Sequence, residues 1–494
     1  MLDRRALIGG TAALAAWRFL HPGPAVAGGR RTATTDPFAL GVASGDPTAD
    51  GFVLWTRLAD ATGDQAVGFE VADDDRFRGI VRHGRCLARA GRAHAVHIEV
   101  AGLPPGRPFY YRFHHAGMVS RTGRTITAPV TADRLRLALT SCQHWEQGWF
   151  TAYRDMIAHA PDLVLQVGDY IYEKSFGSGP DVRRFGTADP VTLDDYRARH
   201  ALYRTDPDLQ AAHAALPFVV TWDDHEVEND YAGLQGVQTT DPRAFAARRA
   251  AAYQAYFEHM PLRRASVANL YRRLRWGDLA TLHILDTRRY RTPQPCGHGG
   301  HVIDGCAALE APGATMLGTA QTRWLSDGLR TETAPWSLIV QQTLFARLHL
   351  ADGPGARWSD IWDGYPASRR QALAALQAPE VRNALILGGD VHSFWLNDIV
   401  RNPERGDGPI VASEIVTSCL ASRNGPAALF GPAKRLNPQV RFLDNDHAGY
   451  VLVDLDRSRA MVDCRAVDDL ADPASPTRSL ARGIVADRRP GFVS

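Results

Sequence analysis

Leu163-Val164-Leu165-Gln166-Val167-Gly168-Asp169-Tyr170-Ile171-Tyr172-Glu173 is an apolar run that ends in a glycine, an acid and two tyrosines. It reads as a strand whose far end carries chemistry. The same pattern recurs on both sides of it. Leu135, Leu137 and Leu139 alternate with Arg134, Arg136 and Ala138, and Thr140-Ser141-Cys142-Gln143-His144 follows. Phe218-Val219-Val220 leads into Thr221-Trp222-Asp223-Asp224-His225-Glu226-Val227-Glu228-Asn229-Asp230. Leu279–Leu285 leads into Asp286-Thr287-Arg288-Arg289, and Ala384–Leu387 into Gly388-Gly389-Asp390-Val391-His392. Further strands are expected at Ser337–Val340, Ile415–Val416 and Tyr450–Val453. Phe150, Tyr153 and Ile157 fall at helical spacing, and the Arg/Ala-rich stretches Pro242–His259 and Ser368–Gln377 read as surface helices. Strands alternating with helices imply an α/β fold with buried sheets.

Before residue 131 the texture differs. From Thr35 to Pro129, extended runs such as Phe52–Thr56, Val67–Val71, His94–Ile98 and Phe109–Phe113 are broken by Gly, Pro and Asp. With the turn Leu103-Pro104-Pro105-Gly106, this predicts a small β-sandwich of fibronectin or immunoglobulin type. No catalytic cluster lies in it.

The first residues read as an address. Arg4 and Arg5 precede an apolar stretch that runs to Trp17, and Ala25-Val26-Ala27 closes it as a small-x-small cleavage site. This predicts a signal peptide over 1–27. The paired arginines point to the twin-arginine machinery, with Leu7 where that signal usually has phenylalanine. The mature chain is expected to be exported, periplasmic or extracellular, with no transmembrane segment.

Of the 494 residues, 56 are basic and 54 acidic, a balance too even for a protein built to neutralise a nucleic-acid backbone. At 45% hydrophobic and 22% charged, the composition excludes wholesale disorder. Six cysteines in such a length do not make a disulfide scaffold. Export nevertheless permits disulfides. Cys296 and Cys306 flank Gly297-His298-Gly299-Gly300-His301, which fits a stapled loop or a Cys/His zinc site. Cys419 and Cys464 are a second candidate pair. Cys86 and Cys142 are left over.

In an open α/β sheet the loops beyond the strand carboxyl ends meet in one crevice. Here they would gather Cys142, Asp169, Tyr172, Asp224, His225, Asn229, Asp390 and His392. So many carboxylates raise one another's pKa values unless cations neutralise them. Carboxylate and amide oxygens suit Ca, Mg or Mn, whereas a thiolate with a phenolate suits a redox-active ion such as iron. Two unlike metals are expected.

At these residues the chain resembles the metallophosphoesterase superfamily and, within it, the PhoD-type alkaline phosphatase/phosphodiesterase family. Gly168-Asp169-Tyr170-Ile171-Tyr172 is similar to the Gly-Asp-x-x-Tyr of purple acid phosphatases. That likeness makes Asp169 a metal bridge and Tyr172, not Tyr170, an iron ligand. Asp223-Asp224-His225-Glu226 stands for Gly-Asn-His-Glu, so Asp224 takes the ligand position and His225 that of the phosphoryl-contacting histidine. Gly389-Asp390-Val391-His392 stands for Gly-His-x-His. Ser141-Cys142-Gln143 replaces Asp-x-His, and a cysteine there is a mark of the PhoD family. Gln341-Gln342 stand where a further histidine is expected. The exchanges toward oxygen donors fit calcium beside iron.

The resemblance implies an αββα sandwich over 131–465, preceded by the β-sandwich over 35–129, with a tail over 466–494 that gives no firm helical signal. It also implies metal-assisted hydrolysis of phosphomonoesters and phosphodiesters, serving phosphate acquisition, with a water-derived nucleophile. Fe3+ would be faced by Cys142, Tyr172 and His392, and Ca2+ by Asp224, Asn229 and Asp390. Asp169 bridges them. His225 would stabilise the phosphoryl group and protonate the leaving group. Arg288 or its neighbour Arg289 would add a positive charge. Two rival readings are a di-zinc or di-manganese nucleotidase-like phosphoesterase and a non-catalytic exported calcium-binding protein.

Overall fold

Arg134–Thr140, Leu163–Gln166 and Pro217–Val220 lie side by side as the parallel centre of a ten-stranded sheet, with Val164 opposite Ala138 on one side and Phe218 on the other. The computed structural model describes residues 36–177, 181–350 and 355–493. The signal-peptide reading of 1–27, with Arg4 and Arg5, lies outside the described residues. Among those described, no helix is long and apolar enough to cross a membrane.

Side-chain alternation sets the layers. Leu135, Leu137, Leu139, Leu163, Leu165 and Val219 point to one face. There they share a core with Leu282, Leu338, Leu385 and Leu387 of a second, seven-stranded sheet. Ala138, Val164 and Phe218 point to the other face and pack with Tyr153, Met156, Leu209 and Tyr256 from the helices Ala152–His159, Pro207–Ala215 and Pro242–His259. The last of these starts from Asp241, whose carboxylate accepts the N–H groups of Arg243 and Ala244, with Pro242 in the first turn. Beyond the second sheet, Leu325, Leu329, Leu373 and Leu376 of Gly318–Arg330 and Pro366–Leu376 cover Ile339 and Ile386. The order is therefore helices, sheet, sheet, helices. In the second sheet Ala280–Ile284, Trp336–Val340, Asn383–Gly388 and Asp407–Val416 run parallel.

The β-rich N-terminal segment shares its architecture with the ten-stranded sheet. Val42–Thr48 pairs in parallel with Pro217–Val220, and Gly51–Arg57 and Ala95–Val100 extend that edge. A five-stranded sheet built on Gln65–Ala72 and Pro108–His115 covers them through Phe52, Leu54, Val67, Phe109 and Phe113. Within 466–494, Thr477–Ala486 and Arg489–Val493 form the opposite edge. Cys296 and Cys306 form a disulfide, which removes the zinc alternative there. Cys419 and Cys464 are both free and buried, so the second expected pair is not made. They belong to different cores, on opposite faces of the ten-stranded sheet.

Helix Leu193–Tyr203 meets the end of Pro242–His259 through two histidines. The His200 and His259 rings stack at 4.9 Å and 12°, and both His200 nitrogens lack a hydrogen-bond partner. Burial, with Arg204, Arg57 and Arg199 nearby, pushes His200 down to about 3. The unfolded chain therefore binds the extra proton between that value and 6.5, so stability is full above pH 6.5 and falls as pH drops. At pH 5 the loss from His200 is about 2 kcal/mol. Denaturant titrations at pH 7.5 and 5 should show a loss smaller by about that amount in His200→Phe. An equal loss in both proteins would refute it.

Candidate active site and metal centre

The parallel strands of both sheets deliver their carboxyl ends to one crevice. The Cys142 N–H donates to the Gly168 carbonyl (3.2 Å) and the Gln143 N–H to the Asp169 carbonyl (3.1 Å), zipping the first two loops together. Gly168, at φ +116°, admits the third loop, since a Cβ there would stand 2.3 Å from the Asp223 Cβ. Cys142, Asp169, Asp390 and His392 all have positive φ, between 52° and 69°. Such strain in non-glycine residues is characteristic of functional sites. Glu226 ties the loops from beneath, accepting the N–H groups of Asp169 (3.1 Å), Tyr170 (2.6 Å) and Asp223 (2.7 Å).

One half of the crevice is mixed in chemistry. Ligand atoms of Cys142, Asp169 and His392 lie within 4.8 Å of one another. The Tyr172 hydroxyl donates to Asp169 Oδ2 (3.0 Å) and sits 2.9 Å from His392 Nε2. His392 Nδ1 lies 2.6 Å from the Arg423 carbonyl, to which it must donate, so Nε2 presents its lone pair to the site. Burial pushes His392 down to about 4, keeping the imidazole neutral. Burial and Asp169 push the Cys142 thiol and the Tyr172 phenol well up.

The other half is carboxylate. Asp169, Asp223, Asp224 and Asp390 bring oxygens within 4.8 Å of one another. Burial, with Asp224, Glu226 and Asp390, raises Asp169 well above the usual range against the pull of His225. Burial, against Arg288, pushes Asp390 up to about 6, and raises Asp223 well above the carboxylate range. Burial would raise Asp224 too, but Arg288 and His225 hold it below. Arg288 is fully buried behind these acids. It is bonded to Asp223 through Nε and to Asp360 through Nη1 (2.7 Å), while Nη2 lies 3.5 Å from Asp390 and 3.7 Å from Asp224. Arg289 turns away, donating to the Ala268 carbonyl.

His225 borders both halves. Its Nδ1 is 2.6 Å from Glu173 Oε2, and its ring lies 4.1 Å from that of Tyr172. Burial would lower it, but Glu173, Asp169 and Asp224 raise it well above 6.5, which favours its protonated form. The Asn229 N–H donates to the same Glu173 (3.0 Å), so its backbone helps to hold the carboxylate that His225 meets. Glu173, Glu226 and Asp360 are bonded to these groups, and the sequence reading gives them no role. Glu173 and Glu226 stand inside the motifs themselves, whereas Asp360 follows no strand of the central sheets.

A sequence profile described as PhoD-like phosphatase matches residues 137–464, and one described as the PhoD-like phosphatase N-terminal domain matches residues 23–129. The chain belongs to the PhoD-like phosphatase family. Alkaline phosphatase D of Bacillus subtilis (strain 168) is 40% identical over 463 residues, covering 89% of this chain and 79% of that protein. A solved structure titled "Structure of PhoD" superposes with a TM-score of 0.89 at 37% identity, covering 93% of this chain and 92% of the other. PhoD-like phosphatases are phosphoric ester hydrolases, so the resemblance carried by the motifs and the enzyme class it implies both hold. The reading as a non-catalytic calcium-binding protein falls. The clusters at the crevice suit a metal-dependent member of the family.

Proposed function

We propose that this chain hydrolyses phosphomonoesters and phosphodiesters at an unlike metal pair, iron(III) in the mixed half and calcium in the carboxylate half. The observation that carries this reading is the division of donors about Asp169. A thiol, a phenol and an imidazole converge on one side of it, and on the other the donors are carboxylates, with His225 beside Asp169 and Asp224 but tied to Glu173 through Nδ1. The donor set fits both ions. Burial disfavours the charged forms of Cys142, Tyr172 and Asp169, and a high-valent cation is what would stabilise them. Asp169, Asp224, Asp390 and Asn229 offer the oxygen donors that calcium takes. A zinc or manganese pair draws less support from a half whose one nearby imidazole, His225, is paired with Glu173 and pushed toward its protonated form.

When bound, the cations polarise the phosphoryl oxygens and lower the pKa of a water toward neutrality. The chain's own groups do the rest. Protonated His225 stands where it donates a hydrogen bond to the phosphoryl group and a proton to the departing alkoxide, with Glu173 fixing its orientation. Arg288 holds Asp223, Asp224, Asp360 and Asp390 together from behind, a positioning role its burial favours over contact with substrate.

The two profile matches support a division into a β-rich part over 35–129 and a metallophosphoesterase-type αββα part over 131–465. Export by the twin-arginine machinery, supported by Arg4 and Arg5, belongs to the same proposal, since that route accepts a folded, metal-loaded chain. The test is hydrolysis of p-nitrophenyl phosphate and bis(p-nitrophenyl) phosphate by protein purified without chelator, with iron and calcium measured on the same sample. Turnover with both metals present is expected. Turnover with zinc alone would overturn the metal assignment, and no turnover on either ester would overturn the activity.

A further inference from the structure

The loop closed by the Cys296–Cys306 disulfide has no part in the chemistry above. It contains Gly297, Gly299, Gly300 and Gly305, so its backbone has wide conformational freedom unless it is tied. It is tied three times. The disulfide closes it, and Val302 and Ile303 pair with Trp358 and Arg357. Ser359 makes the third tie. Its hydroxyl accepts the His301 N–H and donates to the Gly299 carbonyl, both at 3.0 Å, and its own N–H donates to the His301 carbonyl (2.9 Å).

The inner side of this loop presses on the carboxylate half of the crevice. The Gly300 N–H donates to Asp230 Oδ2 at 2.8 Å. The approach is close: a Cβ on Gly299 or on Gly300 would stand 3.3 Å from that oxygen. The Asp230 N–H in turn donates to Asp224 Oδ2 at 2.6 Å. Asp360, next to Ser359, accepts Gln294 (2.7 Å) and Arg288 (2.7 Å), and Gln294 also donates to the Asp230 carbonyl (2.7 Å). Oxygens of Asp224, Asp230 and Asp360 thereby come within 4.8 Å of one another. Acids this close, with Asp224 and Asp360 buried and Asp230 half-buried, repel one another; Arg288 and Arg291 offset that from one side, and the loop backbone holds Asp230 from the other.

We propose that the disulfide-closed loop 296–306 is a clamp that positions Asp224, through Gly300, Asp230 and Ser359–Asp360, and so sets the affinity of the carboxylate half for a divalent cation. The inference rests on the reading that this half takes calcium. Cys296 and Cys306 are positioning residues and touch no reacting atom. With the clamp open, the carboxylates occupy the cation-competent arrangement only part of the time, and apparent affinity falls by that fraction. Once a cation is bound the arrangement is restored, so the defect lies in cation requirement and not in the chemical step.

The experiment compares wild type with Cys296→Ser/Cys306→Ser, each stripped with a calcium chelator and titrated with calcium chloride. Phosphodiester turnover and unfolding temperature are read at each point. In the variant the calcium concentration for half-maximal activity is expected to rise about tenfold or more, with kcat at saturating calcium within about twofold of wild type. Iron content should be equal, and the calcium-induced rise in unfolding temperature should shift to higher calcium in parallel. Asp230→Asn with the disulfide intact should raise the requirement too, and the triple variant by less than the product of the two effects. If the double variant does not fold, Ser359→Ala with the disulfide intact replaces it, since it removes the hydroxyl that accepts the His301 N–H and donates to the Gly299 carbonyl. An unchanged calcium requirement, or a fall in kcat that saturating calcium does not restore, would overturn the clamp. If stripped wild type is reactivated by another divalent ion and not by calcium, the calcium reading fails, and the same titration with that ion decides the clamp.

Discussion

Asp169→Asn is expected to empty both halves of the metal centre and to lower turnover by about a thousandfold or more, the equivalent of about 4 kcal/mol of lost Lewis-acid stabilisation. Asp169 is the residue that both halves share. Its oxygens belong to the cluster with Cys142 and His392 and to the clusters with Asp224. An asparagine keeps the shape but turns one oxygen into an amide donor, which no cation accepts. The fold should survive. Burial and the neighbouring acids make the Asp169 charge costly without a cation, so a neutral amide relieves that repulsion. The metal-free variant is therefore expected to unfold no lower in temperature than metal-free wild type. Elemental analysis, kinetics and thermal unfolding on the same preparations check this. Full occupancy of both metals in Asp169→Asn would remove the bridge from the mechanism.

The same residues show why much of the crevice could be read without coordinates. A parallel strand buried on both faces is an apolar run, so the first polar residues after it mark the loop that enters the crevice. Cys142, Asp169, Asp224, Asp390 and His392 all stand within six residues of such a run, and the structure brings them together. What could not be read was contact across sequence distance. Asp360 reaches Arg288 from a segment with no strand of the central sheets before it. Arg288 and Arg289 are chemically identical neighbours, and only the turn after Leu285 sends one inward and the other out. Cys419 and Cys464 look alike as buried thiols, but the face on which each lies depends on sheet register. The merging of Val42–Thr48 into the central sheet is equally invisible, because its partner Pro217–Val220 lies some 170 residues away.

Cys142→Ala separates the halves that Asp169 joins. The thiol is fully buried, and it lies in a group with Asp169 and His392, with the Tyr172 hydroxyl bonded to both of these. As an inert core thiol it would be exchanged for alanine at a small cost in packing, with turnover intact. As an iron ligand its loss removes the thiolate that, with the Tyr172 phenol and the His392 imidazole, favours iron over calcium in this half. Iron content and turnover should then fall together, turnover by about a hundredfold or more. Calcium retained by the carboxylate half should stay near the wild-type level, because Asp224, Asp390 and Asp169 are untouched. This pattern differs from Asp169→Asn, where both metals go. Cys142→Ser is the sharper control: it restores the volume and an oxygen but not the soft sulfur, and it should recover packing stability without recovering iron. If Cys142→Ala keeps its iron and its turnover, the cysteine belongs to the core, and the mixed half must be held by Asp169, Tyr172 and His392 alone.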